Sequence, residues 1–233
     1  MSPKGGAGKT TAALVLALGL LDRGWRVAMI DSDPNKPLVQ WRTLPNPPER
    51  LTVHAAPTLQ DVGDAQREAK RRNPDWMILD TEGSLRGAMA FTAIRPDLIL
   101  TPLAGSQLEA IQAIKAAELV DSLGSRGGRR IPHRCLLTRI PAALRTRSLK
   151  AVVAQLRERQ IELLPTALLE KEAFRALFSI GGGFATLEAD GVSGVPAARQ
   201  NASAYVEAVL ELLGVESTAP AEFEDELPKR GRA

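Results

Sequence analysis

The first eleven residues, Met1-Ser-Pro-Lys-Gly-Gly-Ala-Gly-Lys-Thr-Thr11, constrain the fold of this chain more than any other stretch. A run of small residues ends in Gly8-Lys9-Thr10, and an apolar pattern with helical spacing follows at once, from Thr11 to Leu21. Glycines let consecutive backbone N–H groups turn toward phosphate oxygens. A lysine adds a mobile positive charge, and a threonine hydroxyl can ligate Mg²⁺. This is a phosphate-binding loop opening a helix. Lys4, Gly5, Gly6, Ala7, Gly8, Lys9, Thr10 and Thr11 are therefore the nucleotide-binding candidates. The general pattern places a glycine five residues before Gly8, where this chain has Pro3, and the second lysine, Lys4, stands inside the loop.

A loop of this kind joins a strand to a helix, and the rest of the chain supplies the neighbours. Buried apolar runs predict strands over 26–31, 51–54, 76–80, 98–103, 131–138 and 161–164. Helical periods over 10–23, 59–72, 107–123, 148–160, 170–180 and 196–213 alternate with them, with stops at Gly24 and Gly124. That alternation predicts an α/β fold: a doubly wound, mostly parallel sheet with helices on both faces. Only three residues precede Lys4, so the strand that should feed the loop is missing from the sequence. In a doubly wound sheet it lies centrally, and its absence leaves two strand edges without partners. The expectation is a misassigned or trimmed start, with an in-frame apolar segment of about six to eight residues directly ahead of Met1. We expect one nucleotide-binding domain over 1–215 and a disordered, charged tail over 216–233.

Phosphoryl chemistry also needs carboxylates that hold a divalent cation near the β- and γ-phosphates. Two strand ends offer them. Asp31 closes the strand 26–31 and is followed by Ser32-Asp33-Pro34-Asn35, and Asp80 closes Trp76-Met-Ile-Leu-Asp80 and is followed by Thr81-Glu82-Gly83. Thr10, Asp31 and Asp80 are the Mg²⁺ candidates, with Asp33 placed to reach the γ-phosphate side. The single cysteine, Cys135, sits in an apolar run and reads as a buried strand residue; it excludes a disulfide framework and a cysteine-based cluster within one chain. His54 and His133 are far apart, the first read as a strand-end residue and the second as part of a basic edge.

The spelling Lys4-Gly-Gly-Ala-Gly-Lys-Thr-Thr11 resembles the deviant P-loop of the ParA/MinD family of positioning ATPases, which have a SIMIBI-like P-loop NTPase fold. Asp31-Ser-Asp-Pro-Asn35 is similar to a segment of ParA ATPases. The resemblance implies that Lys4 crosses a dimer interface to the partner's phosphates and that Asp33 orients the attacking water. It further implies that Lys9 is catalytic, that Thr10 is the direct Mg²⁺ ligand, that Thr11 touches the α-phosphate, and that Gly83 offers a backbone N–H to the γ-phosphate. Where the family usually has prolines after the second aspartate, this chain has Thr81-Glu82-Gly83. The stretches 33–41, 80–83 and 170–177 are similar to the VirC-type branch, whose members assist conjugative DNA transfer. Trp41 reads as an apolar anchor for the segment behind Asp33. For the adenine, 138–141 and 164–166 are the candidate segments, so ATP over GTP follows from the resemblance alone.

Net charge is only +3, yet no acidic residue lies between Asp121 and Glu158. Arg126, Arg129, Arg130, Arg134, Arg145, Arg147 and Lys150 fall in that stretch and predict a surface for a polyanion, here DNA. The expected function is an ATP-dependent switch: a homodimer in the ATP state that binds DNA without sequence preference and hydrolyses ATP with Mg²⁺. A centromere-binding or transfer-complex protein would be its further partner. A MinD-like membrane positioner is a rival reading, disfavoured by the acidic run Glu222-Phe-Glu-Asp-Glu226, so no stable membrane association is expected. An adaptor that recruits a protein without DNA is a second rival, and a metabolic ligase on the same scaffold a third. No apolar run reaches the ~18 residues of a membrane span, and the loop occupies the place of a signal peptide, so a cytoplasmic, nucleoid-associated protein is expected.

Overall fold

The computed structural model describes residues 6–82, 94–127, 131–141 and 147–219, and of 123–127 the backbone alone. The chain runs α1 (Lys9–Leu21), β1 (Val27–Asp31), α2 (Pro37–Arg42), β2 (Leu51–Ala55), α3 (Leu59–Lys70), β3 (Trp76–Asp80) and β4 (Ile99–Leu103). It continues with α4 (Gln107–Gly127), β5 (His133–Ile140), α5 (Arg147–Glu158), β6 (Leu163–Leu169), α6 (Glu172–Ile180), α7 (Phe184–Ala189) and α8 (Val195–Leu213). Every strand pairing among the described residues is parallel. The strands form two three-stranded sheets, ordered β2-β1-β3 and β4-β5-β6. Among the described residues β3 and β4 are thus two edges, with no strand pairing between them.

Side-chain alternation along a strand decides which helices cover each face. From β1, Val27 and Met29 enter the large core with α1, α2, α6, α7 and α8, and the same core takes Leu136, Leu164 and Leu168 from the second sheet. Ile30, on the other face, packs with Ala56 and with Val62 and Ala65 of α3. The second sheet's opposite face packs Leu103 and Cys135 against Ala110 and Ala113 of α4 and Val152 and Leu156 of α5. Both sheets therefore carry helices on both faces, as expected for the doubly wound α/β class. α1 is buried along most of its length, from Ala12 through Leu20, which fits a helix that is apolar on nearly all sides. Gly19 lets α1 approach α8: a Cβ there would lie 2.5 Å from Val206 Cγ2. Among the described residues no helix is long and apolar enough to cross a membrane.

Several boundaries differ from expectation for physical reasons. Gly124 does not stop α4, which runs on to Gly127. That helix starts in a capping box, with Glu109 N donating to Ser106 Oγ and Ser106 N to Glu109 Oε2, and one internal glycine costs only about 1 kcal/mol. β6 runs to Leu169 rather than ending at Leu164, and it carries Pro165. It is the outer strand of its sheet, where a missing N–H is tolerated, and its register against β5 is irregular on either side of the Leu137–Ala167 pair. α2 and α7 have no counterpart among the expected helices; each has six residues, too short for a helical period to stand out. The first part of the expected tail packs back on the domain: Ala219 N donates to Arg23 O at 3.1 Å and Ser217 Oγ to Glu207 Oε2 at 2.7 Å. The remainder, 220–233, lies outside the described residues.

Candidate nucleotide and metal site

The loop sits at the C-terminal ends of the strands, where parallel α/β sheets bind ligands. Gly8 has φ +67°, a left-handed conformation suited to glycine, and serves as the N-cap of α1. Among the described residues no side chain caps this helix. Its first N–H groups and the positive end of its dipole are therefore presented to an anion. Lys9 is the first helical residue, with Thr10 and Thr11 behind it. Lys4 and Gly5 lie outside the described residues, as does Gly83.

Register brings the two acids together. Asp31 and Asp80 are direct partners across the β1–β3 pairing, on neighbouring strands about 4.8 Å apart. Both are buried, Asp80 at 3% exposure and Asp31 at 0%. The Thr10 side chain is hydrogen-bonded to Asp80. Burial pushes the Asp80 carboxyl up to about 7, with Asp31 and Asp33 adding repulsion and Thr10 and Lys9 opposing it. Asp80 Oδ2 is buried without a hydrogen-bond partner among the described residues. A buried carboxylate oxygen beside a threonine hydroxyl, with a second carboxylate adjacent, fits a divalent cation. Asp31 is raised as well, mainly by burial, but backbone donors hold it back. Its Oδ2 accepts from Leu38 N at 2.8 Å and Val39 N at 3.1 Å, and its Oδ1 from Asp33 N at 3.2 Å. Asp31 thus ties the first turn of α2 to the site, a task hidden in the sequence because α2 itself is too short to announce itself there. Asp33 stands in the turn after β1, where Oδ1 accepts from Asn35 N at 2.8 Å and Asn35 Nδ2 at 3.0 Å. Trp41, 2% exposed, is buried in the core.

Two further residues hold the loop from the other sheet. Thr138 Oγ1 donates to Ala7 O at 2.9 Å, and Arg139 Nη1 donates to Gly6 O at 3.0 Å. In the 138–141 segment, an expected neighbour of the adenine, the first two residues grip loop carbonyls. The second adenine candidate, 164–166, lies in the first half of β6, away from the ligand end. Replacing Thr138 with valine keeps the shape and removes the donor. We expect about fivefold weaker nucleotide binding by calorimetry, the worth of roughly one buried hydrogen bond.

The basic residues separate. Arg147 and Lys150 are exposed at the start of α5, which follows the C-terminal end of β5, so they lie at the loop end of the sheet. Arg134 is at the other end of the eight-residue β5, in an ion pair with Glu162. The α4 residue Arg126 follows that helix's course to the same far end. Arg129, Arg130 and Arg145 lie outside the described residues. Alternating strand and helix thus carry one contiguous basic stretch to both ends of the sheet. His133 is no part of a basic edge: burial drops it to about 4, and its Nε2 lies 2.8 Å from Thr101 Oγ1. Cys135 is buried and its thiol is pushed up to about 12, which leaves it inert.

The profile of the VirC1 protein family matches residues 1–221. "Protein ParA" of Rhizobium radiobacter is 30% identical over 216 residues, covering 91% of this chain and 95% of that protein. "Protein virC1" of the same organism is 29% identical over 180 residues, covering 75% of this chain and 76% of its own length. Among solved structures, the ATP complex of an McdA variant from Cyanothece superposes with a TM-score of 0.67 at 18% identity, covering 94% of this chain and 96% of that one.

Proposed function

The chain belongs to the VirC1 family, within the ParA/MinD-type P-loop ATPases, and from that premise we propose that it is an ATP-driven dimerising switch that binds DNA in plasmid partition or conjugative transfer. The observation that carries the reading is the Thr10–Asp80–Asp31 cluster beside the open N-terminus of α1. The α1 N–H groups and Lys9 take the β- and γ-phosphates. Thr10 and Asp80 would hold Mg²⁺, with Asp31 bracing them through the α2 backbone. The cation, when bound with the triphosphate, neutralises charge between the transferred and leaving oxygens. Asp33, fixed by Asn35, orients the attacking water at the mouth of the site. Lys4 of each subunit reaches the other's phosphates, so the dimer forms only with ATP.

Dimerisation doubles the number of basic contacts, and phosphate binding grows steeply with that number. Of the expected DNA-binding residues that the structure describes, Arg147 and Lys150 are the exposed ones at the loop end. A centromere-binding or transfer-complex protein would read the ATP state. The test is DNA binding with ATP, with ADP and without nucleotide, at low and moderate salt. We expect binding with ATP only, weakened at least ~100-fold between 50 and 200 mM salt. Lys4→Ala should keep nucleotide binding and lose both the dimer and the DNA. A Lys4→Ala protein that still dimerises with ATP sinks the switch.

A further inference from the structure

In a regular strand successive side chains point to opposite faces, so neighbours do not reach the same target. Thr138 and Arg139 break that rule. Both reach the phosphate loop, and they take consecutive carbonyls, Ala7 O at 2.9 Å and Gly6 O at 3.0 Å. The cause is a bulge in β5. Against β6 the register passes from Leu137–Ala167 to Ile140–Leu169, three steps on β5 for two on β6. One residue of β5 is therefore extra. Arg139 lies there, with φ +55°. Its backbone is left-handed, a conformation that glycine takes readily in bulges and that an L side chain resists. The other left-handed non-glycine residues among those described, Lys36 and Gln160 for example, stand outside strands. After the detour the strand resumes: Ile140 is buried, and its carbonyl accepts from Glu170 N at 2.9 Å.

Strain of this kind persists where the surroundings hold it, and it clusters at functional positions. Here the surroundings are the loop. The stem of Arg139 lies along Gly8, its Cγ 3.9 Å from where a Cβ on that glycine would stand, while its guanidinium reaches Gly6 O. Arg139 thus spans one side of the loop from Gly8 to Gly6. A trans peptide is planar, and its N–H points opposite to its C=O. The Gly6 carbonyl shares a peptide plane with the Ala7 N–H, and the Ala7 carbonyl shares one with the Gly8 N–H. With both carbonyls drawn to β5, both N–H groups turn away from it, as the successive amides of an anion-binding nest do.

We propose that Arg139 is a positioning residue for nucleotide binding. The bulge turns its side chain onto the loop, and its grip on Gly6, beside that of Thr138 on Ala7, aims the Ala7 and Gly8 amides at phosphate oxygens. The inference rests on the nucleotide reading of the site. It adds that the loop is set in shape from the second sheet before the ligand arrives. Arg139 acts through the loop backbone, so its loss lowers affinity for ADP and ATP alike and leaves the hydrolytic step itself little changed.

The test uses Arg139→Gly, because glycine accepts the left-handed backbone without strain and removes only the side chain. We expect its nucleotide-free melting temperature to equal or exceed the parent's. Calorimetry should show ADP binding about tenfold weaker, the scale of one charge-assisted hydrogen bond. The KM for ATP should rise by the same factor with kcat little changed. In the ADP complexes at equal saturation, hydrogen exchange at the Ala7 and Gly8 amides should be at least ~10-fold faster in the variant. Arg139→Lys keeps a donor on a long stem and should bind ADP within about threefold of the parent. Gln160→Gly is the control: it relieves the same backbone conformation behind α5, at the far end of the sheet, and should leave ADP binding unaltered. An Arg139→Gly protein that binds ADP as the parent does overturns the inference. So does one that loses binding only in step with a lower melting temperature. A parent chain that binds no ADP overturns the reading of the site itself, a failure distinct from either.

Discussion

Lys9→Ala is expected to lower ATP hydrolysis by at least ~100-fold, the scale on which a single preorganised group acts on developing phosphoryl charge. Lys9 opens α1 and is close enough to Asp80 to pull its proton affinity down, so its ammonium lies on the metal side of the loop. Alanine there preserves the helix start, being the strongest helix former. The folded protein should therefore persist: circular dichroism and the nucleotide-free melting temperature should stay close to those of the parent chain, while calorimetry with ATP shows no binding. A Lys9→Ala protein that hydrolyses ATP at the parent rate would place the active site elsewhere and undo the assignment.

The second large effect is one of opposed signs. Asp80→Asn should abolish Mg²⁺-dependent hydrolysis and yet stabilise the nucleotide-free protein at neutral pH. In the unfolded chain this carboxyl loses its proton near 3.8, and in the folded chain near 7. Between those values the folded state holds more proton than the unfolded one, so the contribution of Asp80 to stability falls as pH rises and stays low above the folded value. The gap corresponds to about 4 kcal/mol, or roughly 10 °C in melting temperature for a chain of this size. His133 acts in the reverse sense, because its folded value of about 4 lies below the usual 6.5; the unfolded state then holds the extra proton and stability rises with pH. Subtracting the parent's melting curve from the variant's cancels His133 and isolates Asp80. The difference should grow from pH 4 to pH 7 and then level off. A difference independent of pH would mean that Asp80 is ionised in the fold at every pH tested.

The residues that announce themselves in sequence are those whose chemistry demands a fixed spacing. The Gly8-Lys9-Thr10 run is legible because phosphate binding dictates its order. The acids closing β1 and β3 are legible because a carboxylate stands out at the end of an apolar run, and the parallel register then brings Asp31 and Asp80 side by side. Thr138 and Arg139 are legible as a strand end but not as the grip on the loop. That contact joins Thr138 to Ala7, 131 positions apart, and nothing local encodes it. The second task of Asp31 is hidden behind α2, whose two backbone donors exist only once that short helix forms. The arginine stretch misleads in a simple way. A run of one charge reads as one surface, but a strand of eight residues separates its two ends by about 25 Å.

The hold on Gly6 and Ala7 from β5, taken with that of Asp80 on Thr10, makes the phosphate loop one tie between the two halves of the molecule, beside the core that α1 and α8 share with both sheets. A ligand seated in the loop only when both halves grip it adds its own binding free energy to the work of parting them. At a hundredfold excess over its dissociation constant that is about 2.7 kcal/mol. A nucleotide held there would add to the shared core in resisting separation of the two sheets at their ligand end.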